Sequence, residues 1–345
     1  MPHKINLQPT VRAAYQWRPR RRCRASSSTY GDDGQHSTTL YSIAHGGRRP
    51  CEEMEEALRG KRSWVTSHGR LLVWDPATLA TFLWDPQAAN KYKIALPQWA
   101  SPPAASTGCA LSGYPTSPGN CFTVVVLEPF ESESDDTALW YCHHAGGTSP
   151  PSPWTRHVYD LGGSWVSAPW GKFWTKRFVS GLTACRGKFY WPASADKYGV
   201  LEFSPEPSLT TVTMAEPVQV AVPPGAGYAQ AFKYSLDLDG EVHVAWIFFT
   251  GHEAEAVVDI AVYRVDVAGK RFVRVDSIGD RAVLAGGSSW PFAGWCPATE
   301  FGLLPNSVYW MHPYQSRLYV YDVGSNTEEV RELGEDVREP SRPPF

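Results

Sequence analysis

Apolar residues in this chain come in short unbroken runs divided by Pro, Gly, Asp and Asn. Leu71-Leu72-Val73-Trp74 stops at Asp75-Pro76, and Thr81-Phe82-Leu83-Trp84 stops at Asp85-Pro86. Proline has no N–H to give to a sheet ladder and a fixed φ, so neither run continues as a central strand. Aspartate opens turns by accepting backbone N–H bonds ahead of it. Runs of this length, rich in Trp, Phe, Val and Ile, predict strands. The two Trp-Asp-Pro copies then predict neighbouring antiparallel strands closed by the same kind of turn. Residues 92–96 supply a third strand.

Similar sets recur. One comprises 121–127, 138–143 and 154–159, and the next 187–191, 199–203 and 209–214. A fourth comprises 229–234, 241–249, 257–265 and 270–276. A fifth comprises 281–284, 307–311, 318–321 and 327–331. GKFYWPASADKYGVLEFSP and NSVYWMHPYQSRLYVYDVG share one grammar: Tyr-Trp, a loop, then an apolar run ending in Phe or Tyr-Asp. Only EEMEEALR at 52–59 reads as a helix, with acids in its first turn and Arg at its end. It is expected on the surface.

A set of three or four strands cannot bury both of its faces alone. Stacking such sets face to face around an axis does so, which is the β-propeller solution. At ~40–50 residues per blade, residues 40–332 hold about six or seven blades, five of them legible. The expected fold class is all-β: a single β-propeller over 39–333, preceded by a disordered basic leader over 1–38 and followed by a flexible tail over 334–345. Residues 40–43 are expected as an early strand closing the ring against the last blade. A pair of β-sandwiches is the structural alternative. The Trp-Asp pairs do not make a WD40 protein, because no Gly-His partner accompanies them at a period near ~40.

Composition sharpens this. Of 15 tryptophans, 14 lie between Trp64 and Trp310, inside the strand-rich span. No apolar run reaches the ~18 residues of a membrane span. The seven cysteines (Cys23, Cys51, Cys109, Cys121, Cys142, Cys185, Cys296) are odd in number, widely spaced and without C-x-x-C pairs. No Asn-x-Ser/Thr acceptor occurs, and a reducing interior is expected. Residues 1–31 hold seven of the 32 basic residues and no acid, which leaves 25 basic against 35 acidic residues in the body. That body is no nucleic-acid binder on charge grounds. The leader, with RPRRRCR at 18–24, reads as a solvated tail, a nuclear localisation patch or an organelle transit peptide. Cytoplasmic or nuclear residence is expected, with organelle targeting by the leader open.

Candidate chemistry is sparse. Ser67 and His68 are adjacent on a strand and point apart, and Gly69 reads as a turn. No G-x-S-x-G elbow is present. Cys142-His143-His144 is the one dense cluster of soft ligands; His157 and Cys121 are the candidates to approach it, and no metal is assigned. Gly279-Asp280-Arg281 reads as a turn whose Asp caps amides while Arg pairs elsewhere. The acidic loop at 131–136 lacks the Gly and distal Glu of a calcium loop. Gly162-Gly163 and Gly286-Gly287 lack the setting of a phosphate cradle. Trp74, Trp84, Trp191, Trp246 and Trp310 lie in strands and are expected to pack blades. Trp165, Trp170, Trp174, Trp290 and Trp295 fall in Pro/Gly/Ser-rich segments read as loops. Of these, Trp170, Trp174, Trp290 and Trp295 are the candidate partner-binding anchors, since Trp buries a large area at low entropic cost.

Four segments resemble the plant DUF295 family, also called the KIB1-4 β-propeller domain. Ser67-His68-Gly69-Arg70-Leu71-Leu72 is similar to its Ser-His-Gly-Trp-Leu segment. Phe82-Leu83-Trp84-Asp85-Pro86 through Ile94-Ala95-Leu96-Pro97 is similar to its Asn-Pro and Leu-Pro segment. Gly187-Lys188-Phe189-Tyr190 matches its Gly-Lys-Phe-Tyr. Tyr263-Arg264-Val265-Asp266, then residues 275–282, then Leu304-Pro305-Asn306-Ser307-Val308-Tyr309-Trp310, follow its C-terminal signature in order. The likeness spans about 41–331. Arg70 stands where the family usually has Trp, Asp85 replaces Asn, and Leu284-Ala285-Gly286 replaces a Phe-Leu-Gly-like run. Many members carry an N-terminal F-box that docks the Skp1 adaptor of a ubiquitin ligase; residues 1–39 show no helical apolar period, and no F-box is read here.

The resemblance implies a non-enzymatic propeller that recognises a protein partner, with no cofactor, no nucleic acid, no membrane and no Skp1 binding. Two alternatives stay open. One is the substrate receptor of an SCF-type ligase whose F-box is missing from this gene model. The other is a glycan-binding or glycan-cleaving propeller, which would place Trp beside a close pair of buried carboxylates with one pKa raised.

Overall fold

The computed structural model describes the backbone of residues 11–14, 24–30, 36–43, 47–50, 52–66, 69–85, 93–103, 108–113, 121–128, 136–146, 151–168, 171–204, 206–218, 220, 230–250, 256–286, 292–312, 315 and 317–332. Before residue 52, Ile43 alone has a described side chain. The chain starts with an antiparallel sheet of β1 (Val11–Ala14), β2 (Arg24–Tyr30), β3 (His36–Ser42) and β4 (Gly47–Pro50), in that order. Strands β1 and β2 fall within the span read as a leader, where no apolar period signals a strand. Ladder bonds between backbone groups do not need that period. The start of β3 falls in it too, and the rest of the leader lies outside the described residues. Helix α1 (Glu52–Leu58) follows and buries Met54 and Leu58 against Leu71, Val73 and Trp84, so one side of it is covered.

Five blades come next. Blade 1 is β5 (Arg62–Val65), β6 (Leu71–Trp74), β7 (Thr81–Trp84) and β8 (Lys93–Leu96). Blade 2 is β9 (Cys109–Leu111), β10 (Phe122–Leu127), β11 (Ala138–His144) and β12 (Thr155–Val158). A two-stranded hairpin, β13 (Gly163–Ala168) and β14 (Gly171–Lys176), leads to blade 3. Blade 3 is β15 (Thr183–Cys185), β16 (Lys188–Pro192), β17 (Lys197–Phe203) and β18 (Pro207–Thr213). Blade 4 is β19 (Gln230–Leu238), β20 (Glu241–Thr250), β21 (Ala256–Asp266) and β22 (Arg271–Arg274). Blade 5 contains β23 (Arg281–Gly286), β24 (Phe292–Pro297), β25 (Ser307–Met311), β26 (Arg317–Asp322) and β27 (Thr327–Glu332), with helix α2 (Ala298–Phe301) between β24 and β25. Its order is β24-β23-β25-β26-β27, and β23 runs parallel to β25. These are the five blades legible in the sequence. Where chain length allowed a sixth or seventh blade, the described residues of 40–332 outside these five include the end of β3, β4, α1 and the β13–β14 hairpin.

The strand pairing and the first turn of the Trp-Asp-Pro repeat resolve as expected, while the turn after Asp85 lies outside the described residues. Strands β6 and β7 pair antiparallel, Trp74 opposite Thr81 and Leu71 opposite Trp84. Asp75 accepts the N–H of Ala77 at 2.9 Å, closing the turn between them. Two-residue turns with both central φ values positive join other strands: Arg186-Gly187 (φ 49 and 78) between β15 and β16, and Asp239-Gly240 (φ 54 and 80) between β19 and β20. That is the type I′ hairpin, and it explains the Gly of the Gly-Lys-Phe-Tyr segment.

Alternation along the strands assembles the ring. In β10, Val124 and Val126 face blade 1 with Trp64, Leu72 and Leu83, while Val125 and Leu127 face blade 3 with Phe189, Trp191 and Leu201. Blades 3 and 4 meet through Tyr198, Val244 and Trp246, and blades 4 and 5 through Tyr234, Ile247, Val283 and Trp310. With both faces covered, the strands read as continuous apolar runs. Neighbouring blades adjoin at one edge: β9 lies by β15, β15 by β19 and β19 by β24, while β1 lies by both β5 and β23. Residues 40–43 do reach the last blade, through Ile43 packed among Leu284, Phe301 and Met311, although β3 itself pairs with β2 and β4. Trp74, Trp84, Trp191, Trp246 and Trp310 are all buried between blades or against α1.

Candidate functional site

Between blades 2 and 3 the chain leaves the ring as the β13–β14 hairpin. Its base is pinned. Asp160 accepts the Gly162 N–H at 2.7 Å, Gly162 takes φ +68, and the Arg177 N–H donates back to the Gly162 carbonyl at 2.8 Å. The Tyr159 hydroxyl accepts the Val179 N–H at 3.0 Å, tying the returning strand to blade 2. Register sets Trp165 opposite Trp174. Directly paired residues share a face, so the two indoles stand on one side of the hairpin. The Trp174 ring also lies over Gly163, where a Cβ would come within 2.1 Å of it. That close approach requires glycine.

This face is open to water: Trp165 is 71% exposed and Trp174 43%. Of seven exposed large apolar residues among the described ones, four (Val158, Trp165, Trp174, Phe178) lie within this one stretch. The exposure is concentrated in one segment of the chain, and two of its members, Trp165 and Trp174, face each other across the hairpin. The stretch is also basic. Residues 161–195 carry Lys172, Lys176, Arg177, Arg186 and Lys188 and no acid, although the chain as a whole is acidic. Among the described residues, β13 and β14 pair only with each other.

A second group gathers where the β15–β16 and β19–β20 turns approach the ends of β23 and β24. Trp295 donates its indole N–H to the Asp237 carbonyl at 2.8 Å, and the Arg281 guanidinium lies 5.2 Å over its ring. Arg281 also pairs with Asp239. Asp237 accepts the Gly240 N–H at 2.7 Å. Burial raises the Asp237 carboxyl, opposed by that bond. Burial, then the Asp237 charge, pushes the Cys185 thiol up to about 11, so it is no thiolate nucleophile at neutral pH. Asp280 caps α2 by accepting the Thr299 hydroxyl at 2.7 Å and its N–H at 3.2 Å. Gly279-Asp280-Arg281 is thus the turn expected, with Asp capping and Arg paired elsewhere. Asp237 and Asp239 are engaged in holding a hairpin and an ion pair.

The remaining candidates disperse. Trp170 and Trp290 lie outside the described residues, as do Ser67, His68 and most of the acidic loop, where only Asp136 is described. Gly69 forms its turn at φ 72, donating to the Thr66 carbonyl at 3.0 Å. Trp165, Trp174 and Trp295 sit on strands and not in loops; the Pro, Gly and Ser residues around them mask short alternating segments. In Cys142-His143-His144, alternation sends Cys142 into the blade 1–2 core, while the Nδ1 of His143 lies 2.8 Å from the Thr123 hydroxyl. His144 stacks on Phe122 and accepts the Gly146 N–H. Cys121 donates to the Ala145 carbonyl. Among the described residues, no three His, Cys, Asp or Glu side chains gather closely enough to hold a metal. No described helix is long and apolar enough to cross a membrane. Trp165 is the residue that sequence reading left off the list of anchors. The signal that finds it is the acid-free stretch with Trp on both arms of the hairpin.

Blades stacked face to face on shared apolar layers define the chain as a β-propeller. The KIB1-4 beta-propeller family model matches residues 40–331, and the chain belongs to that family. No curated protein matches it by sequence. Solved structures similar to it include apo AztD from Citrobacter koseri, at 10% identity over 88% of this chain and 85% of that one, with a TM-score of 0.33. The β-propeller domain of Cps50 (Swd1) from Myceliophteria thermophila matches at 10% identity over 94% and 97%, with a TM-score of 0.31. The β-propeller domain of the Trilobed protease from Pyrococcus furiosus matches at 8% identity over 94% and 99%, with a TM-score of 0.32.

Proposed function

We propose that this chain is a non-enzymatic recognition propeller that binds another protein. The observation that carries the reading is the exposed Trp165–Trp174 pair on a pinned hairpin. Rigid, solvent-facing tryptophans are the side chains that anchor protein interfaces. The buried tryptophans serve the blades, and this pair has no such duty. The carboxylates beside Trp295 are engaged by a turn N–H and by Arg281, which weighs against a glycan-cleaving centre there.

Affinity purification of residues 1–345 from plant extract, read by mass spectrometry, tests this. One protein enriched reproducibly, and bound again when both are purified, is the expected result. Near-stoichiometric Skp1 and cullin would make the chain a ligase receptor instead. Turnover of a glycan substrate by the purified chain would overturn the non-enzymatic reading.

A further inference from the structure

We infer that the seam between blades 3 and 4 binds a small organic acid, its carboxylate held by the Lys233 ammonium and the indole N–H of Trp246. This goes beyond the recognition reading and does not depend on the hairpin. Lys233 on β19 pairs directly with Trp246 on β20, so the two share a face, and its Nζ stands 5.3 Å over the indole ring. That face looks to blade 3, where Ala231 and Trp246 belong to one layer with Tyr190 and Tyr198. Lys233 makes this ring contact and, among the described residues, no ion pair or hydrogen bond. Burial alone holds its ammonium below the ordinary value, with no carboxylate contributing. Trp246 is 2% exposed, and its Nε1 has no hydrogen-bond partner among the described residues either. Two donors thus converge where the chain supplies no acceptor, and buried donors are nearly always satisfied.

Comparison singles this place out. Arg62 over Trp74 and Arg281 over Trp295 are also cation–aromatic pairs, but both of those indole N–H groups reach carbonyls and both guanidinium groups are bonded. The buried indoles of Trp64, Trp84, Trp99 and Trp191 also lack an acceptor among the described residues, but no described cation stands over them. Geometry then sets the ligand class. Nε1 is on the rim of the ring, so it and Nζ lie within about 8 Å, the span of two hydrogen bonds of ~2.8 Å joined through the two oxygens of a carboxylate. A carboxylate bridges that whole range, and a halide only its lower part. A phosphate brings a second charge that this apolar layer would have to desolvate. Ala231, the next residue on the Lys233 face, is small and half-buried, which leaves the amine open toward the start of β19. Phe248, stacked on Trp246 at 5.5 Å, offers the apolar body of the acid a surface.

The test uses the full chain at constant ionic strength, with sodium benzoate as the acid and sodium chloride and phosphate as comparison anions. Calorimetric titration reads binding. Acetylation of Lys233 by acetic anhydride, mapped by mass spectrometry, reads where the anion sits. Benzoate is expected to bind one to one and to slow acetylation of Lys233, and chloride and phosphate to do neither. K233M exchanges the ammonium for an apolar side chain of similar volume. It is expected to lose about tenfold or more in benzoate affinity, with its melting temperature unchanged or raised. W246F keeps an aromatic ring and removes the N–H, and is expected to lose about three- to tenfold. No saturable heat from benzoate, or acetylation of Lys233 that benzoate leaves unchanged, overturns the inference, and the second readout needs no variant. Benzoate binding that K233M leaves intact places the acid elsewhere and overturns it as well. Equal protection of Lys233 by chloride overturns the carboxylate assignment.

Discussion

Two tryptophans in this protein lie over a glycine of the neighbouring strand, and their settings differ completely. In blade 3, Trp191 pairs with Gly199, and a Cβ there would come within 2.0 Å of the indole. In the hairpin, Trp174 covers Gly163 from the diagonal position, since Gly163 pairs with Lys176. Trp191 has no exposure, because blade 2 closes over it with Leu139 and Tyr141. Trp174 stays 43% exposed on a sheet of two strands. The local device is shared; what differs is whether another blade covers it. Covered, the indole holds the ring together. Uncovered, it is a surface available to a partner.

Removing the covered indole should cost most. Trp191→Ala is expected to lose about 3–5 kcal/mol, the range for large aromatics deleted from a core, measured by chemical denaturation. Gly199→Ala should follow at about 1–3 kcal/mol, since the added methyl overpacks a site with no room to shift. The hairpin counterpart, Gly163→Ala, should cost less than Gly199→Ala, about 1–2 kcal/mol, because Trp174 can swing into solvent while the Thr175 carbonyl, 2.7 Å from the added methyl, has to shift with the backbone. Near-equal losses for the two glycine variants would erase the contrast between the regions.

Acid should separate them too. Burial holds the His243 imidazole below its ordinary value, with the Glu241 carbonyl opposing. The unfolded chain then takes up the proton more readily than the folded one. Stability is intact above the ordinary histidine value near ~6.5 and falls as the pH drops through it toward the folded value. Residues 163–176 contain no histidine. Hydrogen exchange on acidification, corrected for its intrinsic rate, should therefore rise in β20 before it rises in the hairpin. The smallest stability effect belongs to Trp165→Ser with Trp174→Ser, under about 1 kcal/mol for an exposed cross-strand pair. A loss comparable to that of Trp191→Ala would make the pair structural.

What could be read from the sequence follows the same division between covered and open elements. Strands covered on both faces, such as FTVVVL in β10 and SVYWM in β25, announce themselves as unbroken apolar runs. The leading strands RSWV, CAL and TAC of blades 1–3 do not. They are three or four residues long and bury mostly small side chains, too short for any period to emerge. Strand β19, the counterpart in blade 4, has nine residues and was legible. The hairpin reads as loop because Gly, Ser and Pro interrupt its alternation, so its tryptophans look like loop residues. Trp295 shows the limit for the site. Its indole N–H goes to a carbonyl 58 residues away in sequence, a partner that only the closed ring supplies.

The most direct test compares capture from plant extract by the wild-type chain and by W165S/W174S at matched melting temperatures. The account predicts that the enriched protein disappears from the variant's capture while the fold persists. An unchanged amount of that protein on the variant would contradict it and move recognition to another face of the ring.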